Sequence, residues 1–287
     1  MSISYDEKFL TSQDGLKLYF RDYKNDFSKK KPIICLPGMT RNSKDFHEFA
    51  ETFVKDRRII CPDLRGRGKS DYDKNVKNYW LPYKYTSDVL SIMTASSISE
   101  AYFVGTSLGG LLAMQMAVVR PSSICGIVLN DIGPELPINA VNRISNQSSK
   151  SKGFNSWDEA MKYLKENFKN THPKISDLKW LNLAKKNFQE KDGLIQTDYD
   201  IKIINNLKKN STKQNLWILY ESIKKIPTLL IKGALSDILT NQILNKMVSL
   251  KDDLEITEID FCGHNPFLDE KEAISSIKLF FQQNDNN

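Results

Sequence analysis

The pentapeptide Gly105-Thr106-Ser107-Leu108-Gly109 sets a serine between two glycines. An apolar run, AYFVG at 101–105, precedes it, and a segment of helical character follows. A serine hydroxyl is a weak nucleophile at neutral pH and needs a base to take its proton. On a sharp strand-to-helix turn the serine backbone is strained and the helix crosses close to the strand. Side chains at the flanking positions would clash, which accounts for glycine at both. Ser107 would also stand at a helix N-terminus, where unpaired N–H groups favour developing negative charge. The plainer alternative is a glycine-rich turn with an inert serine, and the available partners decide between the two.

The chain has three histidines. His47 lies beside Asp45 and Glu48 on a helix and is expected to be solvated. His172 sits in the turn-like string Asn170-Thr171-His172-Pro173. His264, in Gly263-His264-Asn265-Pro266, follows the last strand-like run. The carboxyl ends of parallel strands share one edge of the sheet, where ligands bind. Only His264 is placed to meet Ser107 there as a general base. An acid to orient it should follow a neighbouring strand. Asp237 does so, in Ala234-Leu235-Ser236-Asp237 after TLLIKG. Asp131, in Asn130-Asp131-Ile132-Gly133-Pro134, is the alternative, and could instead brace a hinge. The order nucleophile, acid, base expected after a serine elbow favours Asp237. Two N–H groups should receive an oxyanion: that of Leu108, and that of Met39 in the turn Leu36-Pro37-Gly38-Met39-Thr40.

These residues need a frame. Short apolar, β-branched runs alternate with helix-period segments, as expected of βα units around a parallel sheet. Strands are expected near 7–12, 16–22, 31–36, 57–62, 101–105, 124–129, 228–233 and 254–259. Helices are expected near 43–55, 86–96, from 107, at 215–225 and at 269–282. Nearly a hundred residues separate the sixth strand from the seventh, more than one crossover helix uses. Residues 134–212 are therefore read as an inserted helical cap, and 1–133 with 213–287 as the core domain. In the cap, Ser156 followed by Glu159 makes a capping box, with Trp157, Met161, Leu164 and Phe168 on one helix face.

Composition narrows the function classes. The 287 residues carry a net charge of +6, from 33 lysines and only eight arginines. Nucleic-acid readers lean on arginine, so this bias argues against nucleic acid. The cap holds 14 basic and nine acidic residues, most of the net charge. Most of its lysines are expected on polar helix faces, pointing mainly to solvent. No apolar run approaches the roughly 18 residues of a membrane helix, and residues 1–10 have no signal-like apolar core. A cytoplasmic location and no membrane partner are the expectation. The four cysteines form no CxxC pair and are expected as reduced thiols. Gly66-Arg67-Gly68-Lys69-Ser70 ends like a phosphate-binding loop, but position 63 is Asp63 where that loop needs glycine. No metal or nucleotide cofactor is expected. Oligomeric state is not legible.

Taken together, LPGMTRNSKDF (36–46), PDLRGRGKSD (62–71), VGTSLGGLLA (104–113), LNDIGPEL (129–136), LLIKGALSDIL (229–239) and GHNPFLDE (263–270) resemble the α/β-hydrolase superfamily over nearly the whole chain. Within it the chain is most similar to cap-bearing enol-lactonases and esterases. The resemblance implies an α/β fold with a mostly parallel sheet flanked by helices, a helical cap after the sixth strand, and an acyl-enzyme at Ser107. Many relatives have His-Gly where this chain has Pro37-Gly38, a change in the oxyanion turn. The expected activity is hydrolysis of a small, predominantly apolar carboxylic ester or lactone. The alternatives are a C–C bond hydrolase with the same triad and a low-turnover ligand receptor on the same fold.

Overall fold

The computed structural model describes residues 3–148, 153–205, 207 and 215–285. Eight strands form one sheet: β1 (Asp6–Thr11), β2 (Lys17–Tyr23), β3 (Ile33–Leu36), β4 (Ile59–Pro62), β5 (Ala101–Thr106), β6 (Ile124–Asn130), β9 (Thr228–Gly233) and β10 (Glu255–Ile259). Their spatial order is β1-β2-β4-β3-β5-β6-β9-β10. β1 and β2 run antiparallel to their neighbours, and the other contacts are parallel.

The central strands read as unbroken apolar runs because helices cover both faces. Alternation along each strand still sorts the residues. Ile34, Ile60, Phe103, Ile127 and Leu230 point to one core, against α2 (Pro82–Ala95), α3 (Leu108–Val119) and α8 (Asn241–Leu250). Ile33, Cys35, Ile59, Tyr102, Val104, Leu229 and Ile231 point to the other, against α1 (His47–Phe53) and α9 (Lys271–Asn284), whose Phe49, Phe53, Phe280 and Phe281 fill it. α3 (LGGLLAMQMAVV) carries no charge, in keeping with a helix packed on most of its circumference.

Strand positions follow the sequence expectation closely. The crossover helix expected at 215–225 is shorter, α7 at Trp217–Ser222, with a turn before Pro227. Between β6 and β9 lie α4 (Ile138–Ser148), α5 (Trp157–Phe168) and α6 (Asp177–Asn187). Ser156 Oγ accepts the Glu159 N–H at 3.2 Å, and the Glu159 carboxylate reaches back to the Asn155 N–H at 2.9 Å. The boundary expected at 212–213 lies outside the described residues.

One element adds strands to the helical cap expected in this region. Residues β7 (Phe188–Lys191) and β8 (Leu194–Thr197) form an antiparallel hairpin. Its turn, Asp192-Gly193, has positive φ at both residues (52° and 75°). Asp-Gly with that backbone is the two-residue turn whose twist suits a hairpin, a signal present in the sequence. Phe188 and Ile195 from the hairpin join Ala160, Leu164, Trp180 and Ala184 in a separate small core.

Candidate active site

Ser107 occupies the junction of β5 and α3 with φ 51° and ψ −115°. Few non-glycine residues adopt this backbone, and here the surroundings enforce it. The Ser107 N–H donates to the Asn130 carbonyl at 3.1 Å, which ties the turn to β6. A Cβ on Gly105 would lie 2.4 Å from the backbone of Gly109, and one on Gly109 would lie 1.9 Å from the Leu36 carbonyl oxygen. Helix and strand therefore cross at a distance only glycine permits. The first N–H groups of α3, Leu108 foremost, have no acceptor within the helix.

His264 lies in the loop after β10, at the same sheet edge. Its Nδ1 is 2.7 Å from Asp131 Oδ2. This overturns the choice of Asp237. The Asp131 side chain is fully buried, whereas that of Asp237 is 42% exposed. Asp131 Oδ1 also accepts the Gly233 N–H at 2.9 Å, and Oδ2 the Ser236 hydroxyl at 2.6 Å. A φ of 54° at Asp131 turns its carboxylate toward β9 and the His264 loop. Chain order could not separate the two acids, because Ser107, Asp131, His264 has the same order. Asp237 instead receives Arg143 of α4, with both contacts at 2.6 Å. A carboxylate can only accept, so the proton of this bond sits on His264 Nδ1, which in the neutral imidazole leaves the lone pair on Nε2.

Ser107 and His264 line one cavity of about 480 Å³. Gly38, Met39 and Thr40 form part of its wall. A Cβ on Gly38 would lie 3.8 Å from that of Ser107, so the turn expected to supply the Met39 N–H borders the serine. Trp180, Leu183, Phe188 and Tyr199 contribute apolar wall from the segment between β6 and β9.

The other two histidines are both held by side-chain contacts. His47 is not a solvated surface residue: its Nδ1 is 3.0 Å from the Tyr23 hydroxyl, and its ring packs beside Tyr5. His172, in the turn expected from its sequence, is buried and lines the cavity. Its Nε2 is 3.4 Å from the Asn265 carbonyl and its ring lies on Phe267. Burial holds the His172 pKa below the ordinary histidine value. A cavity position for His172 had no signal in the sequence, because it depends on contact between residues 93 apart.

Most described lysines of the inserted segment are exposed, as expected, and two reach inward. Lys162 is exposed, paired with Asp158 one turn earlier on α5. Lys179 and Lys186, however, reach the cavity wall. Each is held by a carboxylate of the core: Lys179 by Asp269 at 2.8 and 2.9 Å, and Lys186 by Glu48. Arg41, also on the wall, pairs with Asp45 at 2.7 Å. The wall cations thus meet their countercharges within the protein.

Among the described residues, no group of three or more His, Cys, Asp or Glu is placed to hold a metal ion, and no helix is long and apolar enough to cross a membrane.

Comparison with known proteins adds relatives to this geometry. A family profile described as alpha/beta hydrolase fold matches residues 31–271. A 3-hydroxybutyrate-oligomer hydrolase of Cupriavidus necator is 29% identical over 266 residues, covering 89% of this chain and 90% of its own. The crystal structure of an alpha/beta hydrolase from Novosphingobium aromaticivorans superposes with a TM-score of 0.91 at 35% identity, covering 99% of both chains. The enol-lactonase of Burkholderia xenovorans shares the fold, with a TM-score of 0.71 at 17% identity over 96% of this chain and all of its own.

Proposed function

The chain belongs to the α/β-hydrolase fold family, and from that premise we propose that it is a serine hydrolase of small, predominantly apolar carboxylic esters or lactones. The observation that carries this reading is the strained Ser107 sharing one cavity with a His264 held at 2.7 Å by the buried Asp131.

In this reading Ser107 Oγ attacks the carbonyl carbon while His264 Nε2 takes its proton. The carbonyl π electrons move to oxygen, and the Leu108 and Met39 N–H groups receive that charge. Collapse expels the alkoxide, which takes the proton from His264, and leaves an acyl-enzyme. A water, deprotonated by His264, then releases the acid and restores Ser107. Asp131 fixes the imidazole tautomer and stabilises its cation.

The apolar wall and the internal pairing of its cations support a neutral substrate. The C. necator relative supports an ester, since oligomers of a hydroxy acid are joined by esters. A fluorophosphonate probe tests the reading: it should label the native protein at Ser107 and leave Ser107→Ala untouched. Equal labelling of both proteins, or of neither, would refute it.

A further inference from the structure

The RGRG segment fails as a phosphate loop, yet it is built with unusual constraint. Gly66 and Gly68 both have positive φ (78° and 54°), and a Cβ on Gly68 would lie 2.1 Å from Asp63 Oδ2. Asp63 itself is buried and accepts the N–H groups of Ser43 and Lys69 at 2.7 and 2.8 Å. The glycines aim the residue between them inward. Arg67 is fully buried.

Among the described residues its guanidinium has only neutral acceptors. Nε donates to the Met39 carbonyl at 2.8 Å, and Nη1 to the Arg65 carbonyl at 2.6 Å and the Tyr85 hydroxyl at 2.8 Å. The cation lies 5.2 Å from the centre of the Tyr85 ring. Among the described residues no carboxylate forms an ion pair with it, whereas adjacent Arg65 pairs with Asp14, Asp73 and Asp88. An unpaired buried cation is costly. Here it is aimed at the turn beside Ser107.

Building on the serine-hydrolase reading, we propose that Arg67 is a positioning residue for the oxyanion turn. By holding the Met39 carbonyl it fixes the plane of the Met39–Thr40 peptide, and through the Met39 backbone it restrains the preceding peptide that carries the Met39 N–H. Its charge also acts in a weakly screened setting, where negative charge developing at the turn is favoured. The same loop is bonded to the segment closing the cavity: Gly68 N–H donates to the Asp198 carbonyl at 2.9 Å, and Asp200 N–H to the Gly66 carbonyl at 2.8 Å. Tyr199, between those two, is on the cavity wall. Arg67 thereby couples the seating of the cavity roof to the geometry of the oxyanion donors.

The test separates rate from folding. Fluorophosphonate end-point labelling counts competent Ser107 sites in wild type, Arg67→Met, Arg67→Lys and Tyr85→Phe. The labelling rate, and kcat and KM for p-nitrophenyl acetate, are then expressed per site. Arg67→Met should lower per-site kcat and labelling rate at least about 10-fold with KM within about 3-fold, and Arg67→Lys should recover part of the loss. A residue that only supports the fold would reduce the number of sites and leave the per-site rate intact; that result overturns the proposal. Should Arg67→Met yield no folded protein, wild-type per-site rates in both Arg67→Lys and Tyr85→Phe overturn it equally. A wild type that cannot be labelled refutes the serine-hydrolase reading itself, and the role of Arg67 with it.

Discussion

Two carboxylates competed for one histidine, and burial decided between them. Asp131 is out of water and receives three hydrogen bonds, whereas Asp237 shares a partly solvated ion pair with Arg143. Asp131→Asn should therefore lower kcat by roughly 10³ or more, as should Ser107→Ala and His264→Ala. Asp237→Asn breaks only the pair with Arg143, worth at most about 1 kcal/mol at such exposure, and should leave kcat within a few-fold. Steady-state kinetics on one p-nitrophenyl ester ranks the four variants, and a larger loss for Asp237→Asn would restore the rejected assignment. The sequence placed Ser107 and His264 by local pattern. It could not place the acid, because what selects Asp131 is its backbone φ of 54° and bonds to residues more than a hundred positions away.

His172 yields a second expectation at this scale. Its pKa is lowered by burial, so the unfolded chain binds the proton more readily than the folded one. Its contribution to stability is full above the ordinary histidine value of 6.5 and is lost as pH falls from there through the lower folded pKa. Urea unfolding at a series of pH values should show wild type losing more stability below about pH 6.5 than His172→Asn does. Parallel pH curves would contradict this.

At the scale of elements, periodicity revealed the helices of the inserted segment and missed the hairpin. The strands are only four residues each, too short for alternation to stand out, and the turn Asp192-Gly193 was their clearest mark. The inward placement of Lys179 and Lys186 was likewise invisible, since it depends on Asp269 and Glu48 of the core. Leu183 of α6 contributes apolar cavity wall and is only partly buried, so it can change size at small structural cost. Leu183→Ala should move the kcat/KM optimum toward longer p-nitrophenyl esters, and Leu183→Trp toward shorter ones. Lys162→Ala, on the solvent side of α5, should leave the series unchanged. The same optimum in all three proteins would mean that α6 does not set chain length.

For the molecule as a whole, the sheet was the most legible feature. Its central strands are short, apolar and bounded, and their burial on both faces leaves little room for another arrangement. That frame also governs the thiols. Cys35 and Cys61 sit within it fully buried, and burial raises the Cys35 pKa. Cys262 is buried too, with its pKa raised by the same cause. Cys125 is more accessible, but burial raises its thiol to about 11. Reaction requires the thiolate, so native protein at pH 8 should react with Ellman's reagent far more slowly than a free thiol does. Guanidinium should release all four thiols at once. One thiol reacting at the free-cysteine rate in the native state would show that part of the frame opens independently.

The placement of Asp131 after β6, with Asp237 after the adjacent β9, has a consequence for descent. Paired strands lie only about 4.8 Å apart, so two neighbouring loop positions can address the same imidazole. A lineage can acquire a carboxylate at the second address while the first still serves. The acid could then change address without an inactive ancestor, leaving the other carboxylate to pair elsewhere, as Asp237 pairs with Arg143 here. Under the proposed role of Asp131, a genome search that demands the acid after the later strand would pass over this chain.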